Sequence, residues 1–154
     1  MKSVDMLTEQ FRARGLKVTP QRQSIFRALS SATVHRTAES VYAEVSAEMP
    51  TISLRTVYQT LNDLAAMGEL STLDLGAGPT RFDPNLDPHH HLVCDGCGLV
   101  IDVPANRAPM PPRGAAVRGF EVTDTEIVFR GRCADCRRTP VPSPTHQGGA
   151  TAHG

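Results

Sequence analysis

Two Cys-x-x-Cys pairs, Cys94/Cys97 and Cys133/Cys136, account for every cysteine in this 154-residue chain. A Cys-x-x-Cys turn sets two sulfurs at the bite that tetrahedral Zn²⁺ needs, and two such turns complete its four ligands. Residues 98–132 separate the pairs, a longer gap than a simple zinc ribbon, so a small β-domain fits between the knuckles. Gly96 and Gly98, in Cys94-Asp-Gly-Cys97-Gly, suit a tight knuckle. A redox dithiol would stand alone at the start of a helix in a βαβ unit, and that context is absent. The first residues, MKSVDMLTEQ, contain no apolar secretory core, so a cytoplasmic location is expected. There, close cysteine pairs act as metal thiolates rather than disulfides. Zinc would supply part of the folding free energy of a domain too small to bury much apolar surface.

A second cluster leads into the first pair: Asp83-Pro-Asn-Leu-Asp-Pro-His89-His90-His91-Leu-Val-Cys94, with Asp102 just beyond. On a strand, His89 and His91 project to one face and His90 to the other. Asp83 and Asp102 can bracket that face from neighbouring strands. Of the remaining histidines, His146 and His153 lie in the tail, and His35 lies in the N-terminal half. His35, Asp83, His89, His91 and Asp102 would give three nitrogens and two carboxylates, suited to Fe²⁺ or Mn²⁺ and tolerant of Zn²⁺. The competing reading makes the triple histidine a solvated turn and His35 an ordinary surface residue. A hydrolytic metal centre with an open position would need a general base and a substrate cleft, and the sequence nominates neither. A thiol switch on the cysteine pairs is the other alternative.

The N-terminal half has helical periodicity. Met6, Leu7 and Phe11 share a face over residues 4–14, with Gly15 as the stop. Thr19-Pro20 starts a second helix, with Ile25, Phe26 and Leu29 as its buried stripe. Thr37 caps a third helix, which closes before Pro50. Ser53 caps a fourth, in which Leu54, Val57, Leu61, Leu64 and Met67 recur every three or four residues, and Gly68 ends it. Leu70 to Phe82 reads as a hairpin around Gly76-Ala-Gly78-Pro79. Four short helices and a hairpin give the order of a winged helix-turn-helix, with the fourth as recognition helix. Its polar face carries Arg55, Thr56, Tyr58 and Gln59, which can reach bases and phosphates or simply solvate an exposed face.

Net charge is zero, but residues 1–36 carry seven Lys/Arg against two acids. A basic N-terminal region suits DNA, with Lys17 and Arg22 near the second helix start as phosphate or minor-groove candidates. No segment reaches membrane-spanning length. After Asp83 come short β-like runs at Leu92-Val93, residues 99–103, Phe120-Glu-Val and residues 126–130. The proline-interrupted stretch 104–119 divides them. The expected class is α+β: a winged-helix DNA-binding domain over 1–82, a small zinc-stabilised α/β domain over 83–136, and a disordered tail over 137–154.

The ordered set Gly15-Leu-Lys-Val-Thr-Pro-Gln-Arg22, His35-x-Thr-Ala-Glu39, Ser53-x-x-Thr-Val-Tyr58-x-Thr-Leu61, Arg81-Phe-Asp83 and His89-His-His-Leu-Val-Cys94-x-x-Cys97-Gly98 resembles the ferric uptake regulator family. Gly131-Arg-Cys133-Ala-Asp-Cys136 falls where that family closes its structural zinc site. The resemblance runs from about Leu7 to Cys136. It implies a homodimeric, metal-dependent repressor that binds a palindromic double-stranded operator and is not an enzyme. The C-terminal domain would dimerise. Asp83 and Asp102, where iron sensors tend to carry Glu, resemble the peroxide-sensing branch. In that branch Fe²⁺ reacts with H₂O₂ and ligating histidines are oxidised; the matching positions are His35 and His89. An iron- or zinc-responsive uptake repressor of the same family is the alternative. Two departures stand out. Stretch 104–119 is short and proline-interrupted where the family has a long helix. Thr125 stands where a histidine of a third metal site would be expected.

Overall fold

A computed structural model of the chain describes residues 2–31, 35–76, 78–105, 119–121 and 125–138. The chain divides into two compact units, residues 1–87 and 88–154. The expected break after Phe82 falls five residues later. β3 continues through Asp83, and side-chain turns from Asp83 to Asn85 and from Asn85 to Asp87 carry the first unit onward.

The first unit comprises α1 (Val4–Ala13), α2 (Pro20–Ser30), β1 (Arg36–Thr37), α3 (Ala38–Glu48), α4 (Leu54–Ala66), β2 (Ser71–Leu73) and β3 (Arg81–Asp83). Each of these helices begins at a hydroxyl cap. Thr19 accepts the Arg22 backbone N–H at 3.3 Å, Thr37 that of Ser40 at 3.2 Å and Ser53 that of Thr56 at 3.1 Å. Each satisfies one amide that the helix leaves without a partner. Gly68 follows α4 at φ +72°, a left-handed turn that a β-carbon would strain. Leu7, Phe11, Ile25, Phe26, Leu29, Val41, Val57, Leu61 and Leu64 are wholly buried in one cluster, with Phe11 and Phe26 edge to face. The strands form an antiparallel sheet of order β1-β3-β2, with Phe82 opposite both Arg36 and Thr72. β1 was not expected from sequence. At two residues it has no periodicity to read, and its pairing with β3 is non-local.

Arg22 is the main departure in this unit. Expected near the phosphate surface, it is only 9% exposed. Its guanidinium bonds Asp63 at 2.8 Å and the Lys17 carbonyl at 3.2 Å, and lies 5.1 Å from the Phe11 ring centre. Arg22 ties α2 to α4, and a charge so engaged is not offered to solvent.

The second unit is a three-stranded sheet of order β5-β4-β6. β4 (His89–Cys94) pairs antiparallel with β5 (Val100–Pro104) and parallel with β6 (Val128–Gly131). A short helix, α5 (Ala134–Arg138), follows, so two residues assigned to the tail are helical. Phe120 and Glu121 lie outside any strand, with Phe120 76% exposed. The last strand begins at Val128 rather than Glu126. Most of the 104–119 stretch and the remainder of the tail fall outside the described residues.

Replacing Arg22 with Ala strands Asp63 and uncovers Phe11. The first unit should lose about 2 kcal/mol, less than a fully buried pair because Asp63 keeps some solvent. Urea unfolding of Arg22→Ala tests this, and an unchanged midpoint would return Arg22 to the surface candidates.

Candidate metal centres

β4, the knuckle after it, and the turn into α5 bring the four cysteines together. Their Sγ atoms all lie within 4.8 Å of one another. Cys97 and Cys133 stand 3.8 Å apart, too far for a disulfide. Four sulfurs at the usual Zn–S length of about 2.3 Å stand about 3.8 Å apart, so the spacing fits a tetrahedral ion. The Cys133 backbone N–H donates to Cys94 Sγ at 3.3 Å and, with the amide of Cys97, lowers that thiol's pKa to about 6. Cys136 is pushed the opposite way, to about 12, by its hydrogen bonds with the Cys133 and Cys97 sulfurs. Four crowded sulfurs cannot all ionise without a cation among them. Gly96 is required for the approach: a β-carbon there would sit 2.9 Å from Cys136 Sγ.

The histidine–carboxylate residues form one compact set in each unit. In the first unit, His35 Nε2 lies 3.4 Å from Asp83 Oδ2, and both side chains are 3% exposed. Asp83 Oδ1 accepts the Asn85 backbone N–H at 2.8 Å, which holds the carboxylate with Oδ2 toward the imidazole. Burying a carboxylate costs several kcal/mol unless something of opposite character meets it. An imidazole beside it makes a natural ligand pair.

In the second unit, strand alternation works as the sequence reading expected. His89 and His91 share a face of β4, with Nε2 atoms 2.9 Å apart, and His91 is buried. Two nitrogens about 2.1 Å from one ion at a right angle stand about 3.0 Å apart, so these rings are spaced as neighbouring ligands. Asp102 is the cross-strand partner of His91, with its Oδ1 3.9 Å from His89 Nε2. Asp83, expected on a strand beside β4, lies instead on β3 in the first unit's sheet. His90 points to the opposite face and stacks edge-on with Phe129. One residue with no sequence signal joins the picture: Glu126 lies 3.6 Å from His91 Nδ1. In the first unit, the Tyr58 hydroxyl donates a hydrogen bond to Glu39. That bond lowers the Glu39 pKa and raises that of Tyr58.

On α4, Arg55 and Gln59 are exposed and Thr56 and Tyr58 half-buried. Thr56 bonds Ser53 at the cap, and Lys17 is exposed ahead of α2. A four-helix winged unit joined to a sheet unit with a four-cysteine metal site and histidine–aspartate ligands defines a class of metal-responsive DNA-binding proteins. Comparison with known proteins gives the family. A model described as the ferric uptake regulator family matches residues 13–130. The Staphylococcus aureus (strain Mu50) peroxide-responsive repressor PerR is 34% identical over 127 residues, covering 82% of this chain and 86% of that protein. The Pseudomonas aeruginosa ferric uptake regulator with manganese is 29% identical and covers 82% of this chain and 97% of its own, with a TM-score of 0.59. The Helicobacter pylori ferric uptake regulator, 18% identical, shares the fold over 92% of this chain and all of its own, at a TM-score of 0.69. The chain belongs to the ferric uptake regulator family, whose members here are named as regulators and repressors rather than enzymes.

Two substitutions probe the sulfur site. Cys97→Ser should abolish bound zinc and unfold the second unit, whereas Gly96→Ala should weaken zinc retention without removing a ligand. Elemental analysis and thermal unfolding measure both, and a full zinc equivalent in Cys97→Ser would contradict the assignment.

Proposed function

We propose that this chain is a homodimeric, cytoplasmic, metal-dependent repressor that senses hydrogen peroxide. In this reading Cys94, Cys97, Cys133 and Cys136 hold a structural Zn²⁺. His35, Asp83, His89, His91 and Asp102 together hold a regulatory Fe²⁺ or Mn²⁺. The observation that carries it is the ligand chemistry: each unit presents a compact set of imidazole and aspartate groups, His35 with Asp83 and His89 with His91 and Asp102. Neither set alone fills the coordination shell of a five- or six-coordinate ion. Joined on one ion, they would fix the angle between the reader unit and the sheet unit. Moving such an equilibrium from mostly open to mostly locked takes about 5.5 kcal/mol of differential affinity.

Two aspartates rather than glutamates, and relatives named as peroxide-responsive repressors, favour peroxide over metal level as the signal. When bound, ferrous iron supplies reduction of H₂O₂ beside the ligating rings. The net change on the chain is one oxygen added at an imidazole carbon of His35 or His89, with water as the other product. The altered ring donates poorly, so His35 or His89 no longer holds its place and the lock opens. Arg55, Thr56, Tyr58 and Gln59 on α4 would read bases and phosphates of a palindromic double-stranded site, with Lys17 on the backbone. Arg22 serves this surface indirectly, by fixing α2 against α4.

Dimerisation is supported by the outer face of the sheet. Leu92 on β4 pairs across to Ile101 on β5 and Phe129 on β6, and all three are close to half exposed. An apolar cross-strand row of this kind suits a second copy. Among the described residues no helix is long and apolar enough to cross a membrane.

His35→Ala should abolish Mn²⁺-dependent operator binding while leaving the zinc equivalent unchanged, as measured by fluorescence anisotropy and elemental analysis. Retained metal-dependent binding removes His35 from the sensor. Brief peroxide exposure of Fe²⁺-loaded, but not Mn²⁺-loaded, protein should add one oxygen to the peptide bearing His35 or His89, read by mass spectrometry. Unmodified histidines would favour the metal-level alternative.

A further inference from the structure

We infer that Glu126 is a positioning residue for the regulatory metal: its carboxylate keeps the His91 ring proton on Nδ1 and so leaves Nε2 as the ligating nitrogen. The inference rests on the proposed role of His91 as a ligand and adds a residue that this role does not include.

The geometry of one ring carries it. An imidazole has two nitrogens on opposite edges, and in the neutral ring one donates while the other accepts. His91 Nε2 faces His89 Nε2 at 2.9 Å, the side on which Asp102 also lies. The other edge faces Glu126, whose Oε1 is 3.6 Å from Nδ1. That is slightly longer than a hydrogen bond, and a side-chain shift of a few tenths of an ångström closes it. The backbone keeps the pair together. His91 N–H donates to the Ile127 carbonyl at 3.1 Å, and the parallel register sets His91 opposite Val128. Glu126 therefore enters the sheet edge beside the ring.

A carboxylate on the far nitrogen of a ligating histidine does two things. It selects the tautomer that leaves the near nitrogen's lone pair available, and it raises that nitrogen's basicity. Without the metal, His91 Nε2 would accept a hydrogen bond from His89 Nε2–H; with it, the same lone pair would be the one offered to the ion. His91 is buried, so few competing donors or acceptors from water reach the ring. Glu126 itself is 45% exposed, which places the effect at the low end of the usual 10- to 100-fold range for such partners.

The test uses full-length protein with zinc in the sulfur site, Mn²⁺ titration against a competing chelator, and ¹⁵N NMR of histidine-labelled, manganese-free protein. Glu126→Ala should weaken Mn²⁺ binding by about tenfold. It should also shift His91 from the Nδ1–H form toward a mixture, with zinc content unchanged. Glu126→Gln, whose amide oxygen still accepts from Nδ1, should recover most of both. Unchanged affinity and tautomer in Glu126→Ala, alongside weakened binding in Asp102→Asn, would overturn the role of Glu126 and leave the regulatory site standing. Unchanged affinity in both Asp102→Asn and His91→Ala would overturn the regulatory site, and this inference with it.

Discussion

The described residues of the second unit bury few apolar side chains. Among its described residues the buried hydrophobic side chains are Val93, Cys94, Val100 and Cys136, and two of those are metal-site sulfurs. The first unit, by contrast, packs a continuous cluster from Leu7 to Phe82. A sheet of three short strands with so little buried surface does not hold itself together. A Zn²⁺ held by the four sulfurs that converge just beyond β4 and β6 would supply what packing does not. β4 also carries His89 and His91, and β5 carries Asp102, so a zinc-held sulfur centre would steady the pairing on which the proposed sensing ligands depend.

β4 is where two kinds of chemistry are kept apart by a two-residue period. One face presents His89 and His91; the other presents His90 and Leu92 beside Phe129. A slip of one residue in its pairing would exchange ligand and apolar faces together. The same strand thus links the proposed metal response to the proposed dimer surface. Glu126, arriving beside β4 just before β6, extends that economy to the far edge of a ligand ring.

What was legible in the sequence was local or repeated. Helix caps at Thr19, Thr37 and Ser53 follow from a hydroxyl ahead of an amphipathic run, and all three are formed. The sulfur cluster followed from spacing alone. What escaped depended on partners far along the chain. Arg22 and Lys17 look alike in sequence, yet Arg22 meets Asp63, 41 residues away, and turns inward. β1 exists because β3 pairs with it. The strand expected at Phe120 finds no pairing among the described residues, and its apolar ring is exposed. Glu126 reads as one more surface acid until the parallel pairing of β4 and β6 brings it to His91. Asp83 was expected beside β4, because the sequence does not reveal which sheet a strand joins.

The proposed regulatory ion would draw ligands from both units. Pulsed electron paramagnetic resonance of Mn²⁺-loaded protein, with zinc in the sulfur site, counts the imidazole nitrogens around the ion. Three are expected, with one disappearing in His35→Ala and Asp83→Asn leaving all three in place. A spectrum with two imidazoles that His35→Ala does not alter, together with unchanged Mn²⁺ affinity in Asp83→Asn, would mean the ion belongs to the second unit alone, and the proposed link between metal and DNA reading would fall.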